Sequence, residues 1–196
     1  MNISLILAHP NPESLNHAIA QQSKNYLEKQ GHTVFYHDLY QEQFDPNLPF
    51  EEFEKDAALP DEVQTYCDEL IDSEGLILVH PNWWGMPPAI LKGWVDRVIR
   101  PGVAYQFDEG DSGEGVPKGL LKAKATVVFN TSNTSEYRET NVFGDPLENL
   151  WKTCILDFCG IQQFYRKMFR IVVTSTLEER QAWLMEVEEM LEKAFG

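Results

Sequence analysis

Residues 2–17 read Asn2-Ile3-Ser4-Leu5-Ile6-Leu7-Ala8-His9-Pro10-Asn11-Pro12-Glu13-Ser14-Leu15-Asn16-His17. The run from Asn2 to Ala8 has apolar residues on both alternating faces, as a strand covered on both sides requires. A short polar loop follows and leads directly into a helix over Ser14 to Gln30. Leu15, Ala18, Ile19, Tyr26 and Leu27 keep helical spacing there, and Gly31 stands where the helix stops. A buried strand feeding a helix through a tight loop is the opening unit of a parallel α/β sheet.

The same alternation continues outward. Strands are predicted over His32 to Leu39, Gly75 to His80, Ala123 to Thr131 and Ile161 to Thr174. Residues 40–60 are an excursion with one helical turn, and Asp61 to Ser73 is a helix. Ile90, Leu91, Trp94, Val95, Val98 and Ile99 form the apolar stripe of another, ended by Pro101-Gly102. Residues 106–119 are polar and glycine-rich, the composition of a surface loop. Asp145-Pro146-Leu147-Glu148 is a capping box with proline at the first helical position. The helix it opens has Leu147, Leu150, Trp151, Cys154, Ile155 and Phe158 on one side. Thr176 and Glu179 cap a last helix. Five strands in one domain over residues 1–196 predict an α/β, flavodoxin-like fold: a five-stranded parallel sheet of order 2-1-3-4-5 with helices on both faces.

Composition bounds the partners. Of 196 residues 43% are apolar, enough for a real core, and 16 Lys and Arg stand against 31 Asp and Glu, a net charge of −15. Such a surface repels nucleic acid and anionic lipid, and no apolar run reaches the ~20 residues of a membrane helix. The acid-rich stretch Glu42 to Glu74 reads as a solvated loop and helix face. Cys67, Cys154 and Cys159 lack the spacing of a disulfide framework or zinc site, which predicts a reducing, cytoplasmic setting with Cys154 in the core. No metal is expected.

In a sheet of this order ligands sit at the carboxyl ends of strands 1 and 3, so three loops matter. After strand 1, either Asn11 or Ser14 simply caps the helix, or the free amides of its N-terminus with the Ser14 hydroxyl and the Asn16 amide hold a phosphate, with His9 as a further donor. After strand 3 comes Pro81-Asn82-Trp83-Trp84-Gly85. Two adjacent tryptophans suit either a flat aromatic ligand or an inward residue beside an interface residue. After strand 4, Thr131, Ser132, Asn133 and Thr134 form either a turn cluster or a polar edge for a ring. Neither GxxxxGK[ST] nor GxGxxG follows strand 1, which removes the common nucleotide-loop readings.

The pattern Ala8-His9 through Ser14-Leu15-Asn16, then Trp83-Trp84-Gly85-Met86-Pro87 leading into Ala89-Ile90-Leu91-Lys92-Gly93-Trp94, then Gly102-Val103-Ala104-Tyr105, resembles the flavodoxin-like NAD(P)H:quinone oxidoreductases along nearly the whole chain. The resemblance implies a bound flavin, FMN rather than FAD, and NAD(P)H as co-substrate. It implies that His9, Ser14, Leu15, Asn16 and His17 surround the phosphate or ribityl end, and that Pro81, Asn82, Trp83 and Trp84 follow the ring. Thr131, Ser132, Asn133 and Thr134 close the pyrimidine side. It also implies a homodimer, and a ping-pong two-electron transfer to a quinone or similar acceptor with Tyr137 assisting hydride transfer. Departures are visible: Asn133-Thr134 replaces a glycine pair, and the catalytic histidine of the mammalian enzymes has no counterpart after Tyr137. A flavodoxin-type electron carrier and a regulatory flavoprotein subunit of a membrane transporter are the competing classes.

Overall fold

The computed structural model describes residues 1–108, 110 and 115–196. Five strands, β1 (Asn2–Leu7), β2 (Thr33–Asp38), β3 (Gly75–Pro81), β6 (Ala125–Ser132) and β7 (Gln163–Arg170), form one parallel sheet. Its order is β2-β1-β3-β6-β7, the predicted one, because β4 (Tyr105–Gln106) and β5 (Lys118–Gly119) make a separate two-stranded hairpin. That hairpin occupies both ends of the stretch read as a loop; Glu109 and residues 111–114 of the prediction lie outside the described residues.

The three central strands, β1, β3 and β6, are buried on both faces because helices cover both. Ile3, Leu5, Leu7, Ile77, Val79, Val127 and Phe129 point to one side, onto Ile19 and Leu27 of α1 (Leu15–Lys29) and Val187 and Leu191 of α5 (Leu177–Phe195). Ile6, Leu76, Leu78 and Val128 point to the other, where α2 (Asp61–Asp72), α3 (Ala89–Val98) and Trp151 close a second core. Full burial of each such side chain contributes about 1.5–3 kcal/mol.

The helix opened by Asp145 departs from its expected form. One α-turn, α4 (Pro146–Glu148), continues as a π-helix over Asn149–Leu156. Its hydrogen bonds span five residues, as in Asp157 N to Lys152 O at 2.9 Å. The wider turn rotates the stripe, so Leu147, Trp151, Leu156 and Cys159 are buried while Cys154 is exposed. The core placement expected for Cys154 assumed a 3.6-residue period that this segment does not have.

The acid-rich excursion also holds a correction. Glu52, in a 3-10 turn over Phe50–Glu52, is buried, not solvated. Its carboxylate takes both Arg97 Nε (2.9 Å) and Arg97 Nη2 (2.5 Å), and Arg100 binds the carbonyls of Glu52 and Glu54. Pro46 then lies so close to α3 that a Cβ at Gly93 would stand 2.2 Å from its carbonyl oxygen, which explains a glycine inside an apolar helix.

Candidate functional site

Register brings three loops to one rim. Leu7 pairs with Val79, and Pro81 with Thr131, so the carboxyl ends of β1, β3 and β6 lie side by side. Between their loops is a cleft of about 380 Å³. His9, Ser14, Leu15 and Asn16 line it from the first loop, Pro81, Asn82 and Trp83 from the second, and Thr131 through Thr134 from the third. Eleven of the fourteen residues singled out from sequence thus share one surface; His17, Trp84 and Tyr137 are not in its lining.

Ser14 is the N-cap of α1 and accepts from His17 N at 3.3 Å. Its hydroxyl also meets His17 Nδ1 at 3.0 Å, while His17 Nε2 binds the buried Asp38 at 2.8 Å. His17 therefore supports the loop from behind. The amides of Leu15 and Asn16, in the first turn, have no intrahelical acceptor and carry the positive end of the helix dipole. Asn16 is 2% exposed; Nδ2 donates to Thr131 Oγ1 at 2.9 Å and Oδ1 has no partner. With the amide turned over, Thr131 donates to Oδ1 and Nδ2 is the free atom. Either way one buried polar atom is left for a ligand: an acceptor for a hydroxyl or a donor for an oxyanion.

His9 Nδ1 lies 3.1 Å from Asn11 N and 3.3 Å from Asn11 O, so the Asn11 backbone holds the ring in either tautomer. Burial, above all, lowers its pKa, so it offers a neutral imidazole in place of a full charge. The positive charge comes from Arg180, which sequence reasoning missed. It reaches the cleft from the first turns of α5, held by Ser175 Oγ (2.8 Å) and Val172 O (3.1 Å). No local motif marks it, since it arrives from the far end of the chain. Glu13, at the exposed rim, bears the opposite sign.

The second loop is a tight hairpin. Trp83 and Met86 exchange both backbone hydrogen bonds at 3.0 Å, with Trp84 (φ 60°) and Gly85 (φ 76°) between them. Two positive φ values make this a type I′ turn, which suits glycine and strains tryptophan. Trp84 is 96% exposed, and neither tryptophan is in the core. Trp83 lies 6.1 Å from the His9 ring across the cleft mouth. Asn82 fixes the turn: its Oδ1 accepts from Gly85 N (2.9 Å) and its Nδ2 donates to Glu139 Oε1 (2.8 Å).

Asn82 and Thr134 are shared with a neighbouring hollow of about 510 Å³, lined also by Trp84, Gly85, Glu139, Phe143 and Pro146. Tyr137 is 70% exposed and lines neither space. Tyr105 and Phe107 pack against Phe158, away from both.

A family model described as a flavodoxin-like fold, Flavodoxin_2, matches residues 1–194. The chain belongs to this family. It is 35% identical over 174 residues to an uncharacterized NAD(P)H oxidoreductase of Haemophilus influenzae, covering 86% of this chain and 83% of that one. It is 30% identical over 205 residues to a rat (Rattus norvegicus) ribosyldihydronicotinamide dehydrogenase [quinone], covering 93% and 87%. The crystal structure of Smu.1420 from Streptococcus mutans superposes with a TM-score of 0.83 at 33% identity, over 97% of this chain and 98% of that one. The sheet order thus agrees with the family's fold.

Proposed function

We propose that the protein is a flavin-dependent NAD(P)H oxidoreductase, an NAD(P)H dehydrogenase (quinone) that hands two electrons to a quinone or similar flat acceptor by a ping-pong route. The observation that carries this reading is the cleft itself, with helix-terminus amides and an arginine among its lining and an indole at its mouth. Curated relatives named NAD(P)H oxidoreductase and ribosyldihydronicotinamide dehydrogenase [quinone] support it.

FMN, when bound, supplies the hydride-accepting chemistry. Its single phosphate fits the N-terminus of α1 in the lining, where Leu15 and Asn16 offer amides, with Arg180 offering charge. The free polar atom of Asn16 suits the ribityl chain or phosphate. Trp83 supplies a flat apolar wall, and the Thr131–Thr134 loop supplies small polar groups for a ring edge. Asn82, locked between Gly85 and Glu139, keeps the second loop at a fixed height. FAD is the alternative cofactor.

A homodimer is part of the reading, since the exposed Trp84 and Phe143 leave an apolar rim for a second subunit to cover. So is a cytoplasmic setting, with Cys67 and Cys159 free and buried. Among the described residues no helix is long and apolar enough to cross a membrane.

The purified protein should be yellow, carry FMN, and oxidise NADH or NADPH with menadione; colourless protein that binds neither FMN nor FAD would end this reading. Arg180→Leu should weaken FMN binding about tenfold or more, the worth of one charge-assisted hydrogen bond. Riboflavin, which lacks the phosphate, should bind the variant and the parent equally. Equal losses for the two ligands would place Arg180 away from the phosphate.

A further inference from the structure

The neighbouring hollow holds a group that the reading above does not use. Glu139 lies in a π-helical turn over Arg138–Val142 and is 1% exposed. Such turns concentrate at functional positions. Its backbone is fixed at both ends, Glu139 N to Ser135 O at 3.0 Å and Asp145 N to Glu139 O at 2.8 Å. Oε1 accepts from Asn82, but Oε2 is buried with no partner. A buried oxygen without a donor is costly, and the hollow that Glu139 lines is walled by Trp84, Gly85, Phe143 and Pro146, with Asn82 and Thr134 as its other polar side chains.

We propose that Glu139 determines acceptor specificity: the hollow between Trp84 and Phe143 selects flat rings that carry an N–H or O–H donor, which Glu139 receives. Trp84 and Phe143 supply aromatic surface for the ring. The terminal torsion of a glutamate side chain is soft, so the carboxyl can present its second oxygen to a ligand without leaving Asn82. A ring bearing its own carboxylate or sulfonate is excluded, because it would bring a second acceptor to an acceptor. The proposal rests on the redox reading for the reaction such a ring undergoes, but not for the binding itself.

The test is calorimetric titration of the purified protein, with the flavin it retains, with 1,4-naphthoquinone and 2-amino-1,4-naphthoquinone. The amino compound should bind about tenfold more tightly. Glu139→Gln gives the sharper result. Because Asn82 Oδ1 is committed to Gly85 N, Nδ2 must still face residue 139, so the glutamine must turn its oxygen to Asn82 and its NH2 toward the ligand. The preference should then be lost, because the carbonyls of both rings accept from that NH2. Glu139→Leu should abolish the preference too, with the folded state checked by circular dichroism; if that variant does not fold, the near-isosteric glutamine variant decides alone.

Equal affinities in the parent protein, no binding of either ring, or an unchanged preference in Glu139→Gln would overturn the proposal. Failure of the redox reading looks different. Protein without flavin or NAD(P)H turnover that still prefers the amino ring refutes that reading and leaves this one standing. A yellow, active enzyme with no such preference does the reverse.

Discussion

Replacing Trp151 with alanine should destabilise the protein by about 3–5 kcal/mol, the range for removing a fully buried indole. For a domain of this size that is on the order of 10 °C in Tm. Trp151 is 0% exposed, and its Nε1 donates to His80 Nε2 at 2.9 Å. The imidazole is therefore neutral with its proton on Nδ1, which donates to Pro81 O at 2.8 Å. Asn130 Nδ2 also approaches Nε2, and Arg166 holds Asn130 Oδ1 at 2.9 Å. The network sits directly beneath the second loop of the cleft, so the same variant should loosen flavin retention.

It should also change the acid limb of stability. Burial above all, with Arg166 adding to it against the Pro81 carbonyl, holds the His80 pKa down to about 4. An unfolded histidine titrates near 6.5 and takes up a proton that the native imidazole refuses. Stability is then complete above about pH 6.5 and falls by about 3 kcal/mol as the pH drops toward 4. Trp151→Ala opens a space that relieves the burial, so its acid limb should be shallower. Urea midpoints measured from pH 4 to 7 on both proteins test this. Limbs of equal steepness would show that Trp151 does not govern the His80 proton.

Glu52→Leu should cost a further amount of the same order, about 3–5 kcal/mol, because it strands a buried guanidinium. Arg97 is 5% exposed and its pKa is raised, chiefly by the hydrogen bond to Glu52. Its Nη1 keeps the Asp45 carbonyl at 2.7 Å, which cannot neutralise the charge. The double variant Glu52→Leu/Arg97→Met removes both charges and should recover most of the loss, since a buried pair replaced as a unit is often close to neutral. Additive losses in guanidinium denaturation would mean that the two side chains do not act as a pair.

These two networks also mark where sequence reading stops. The sheet was legible because Asn2–Ala8, Gly75–His80 and Ala125–Phe129 are apolar on both faces, and only a doubly covered parallel strand needs that. The cleft was legible because that topology dictates where ligands bind, and the loop residues there are consecutive in the chain. Arg180 was not, because its place depends on how α5 packs over the end of β7. Glu52 was hidden within an acidic run whose other members are mostly solvated; only tertiary packing separates it from Glu51 and Glu54. Cys154 was misplaced because a π-helix is set by hydrogen-bond register, to which hydrophobic periodicity is blind. His80 gave no warning, since an apolar strand carries a histidine in silence until its partners are known.

The left-handed turn at Trp84 gives the protein a built-in optical reporter. Trp94 and Trp151 are sealed in the core and should emit at short wavelength, whereas Trp84 stands almost wholly in water and should dominate the red edge of the emission. A molecule settling beside it, or a subunit closing over it, should register as a blue shift confined to that red component, before any turnover is measured.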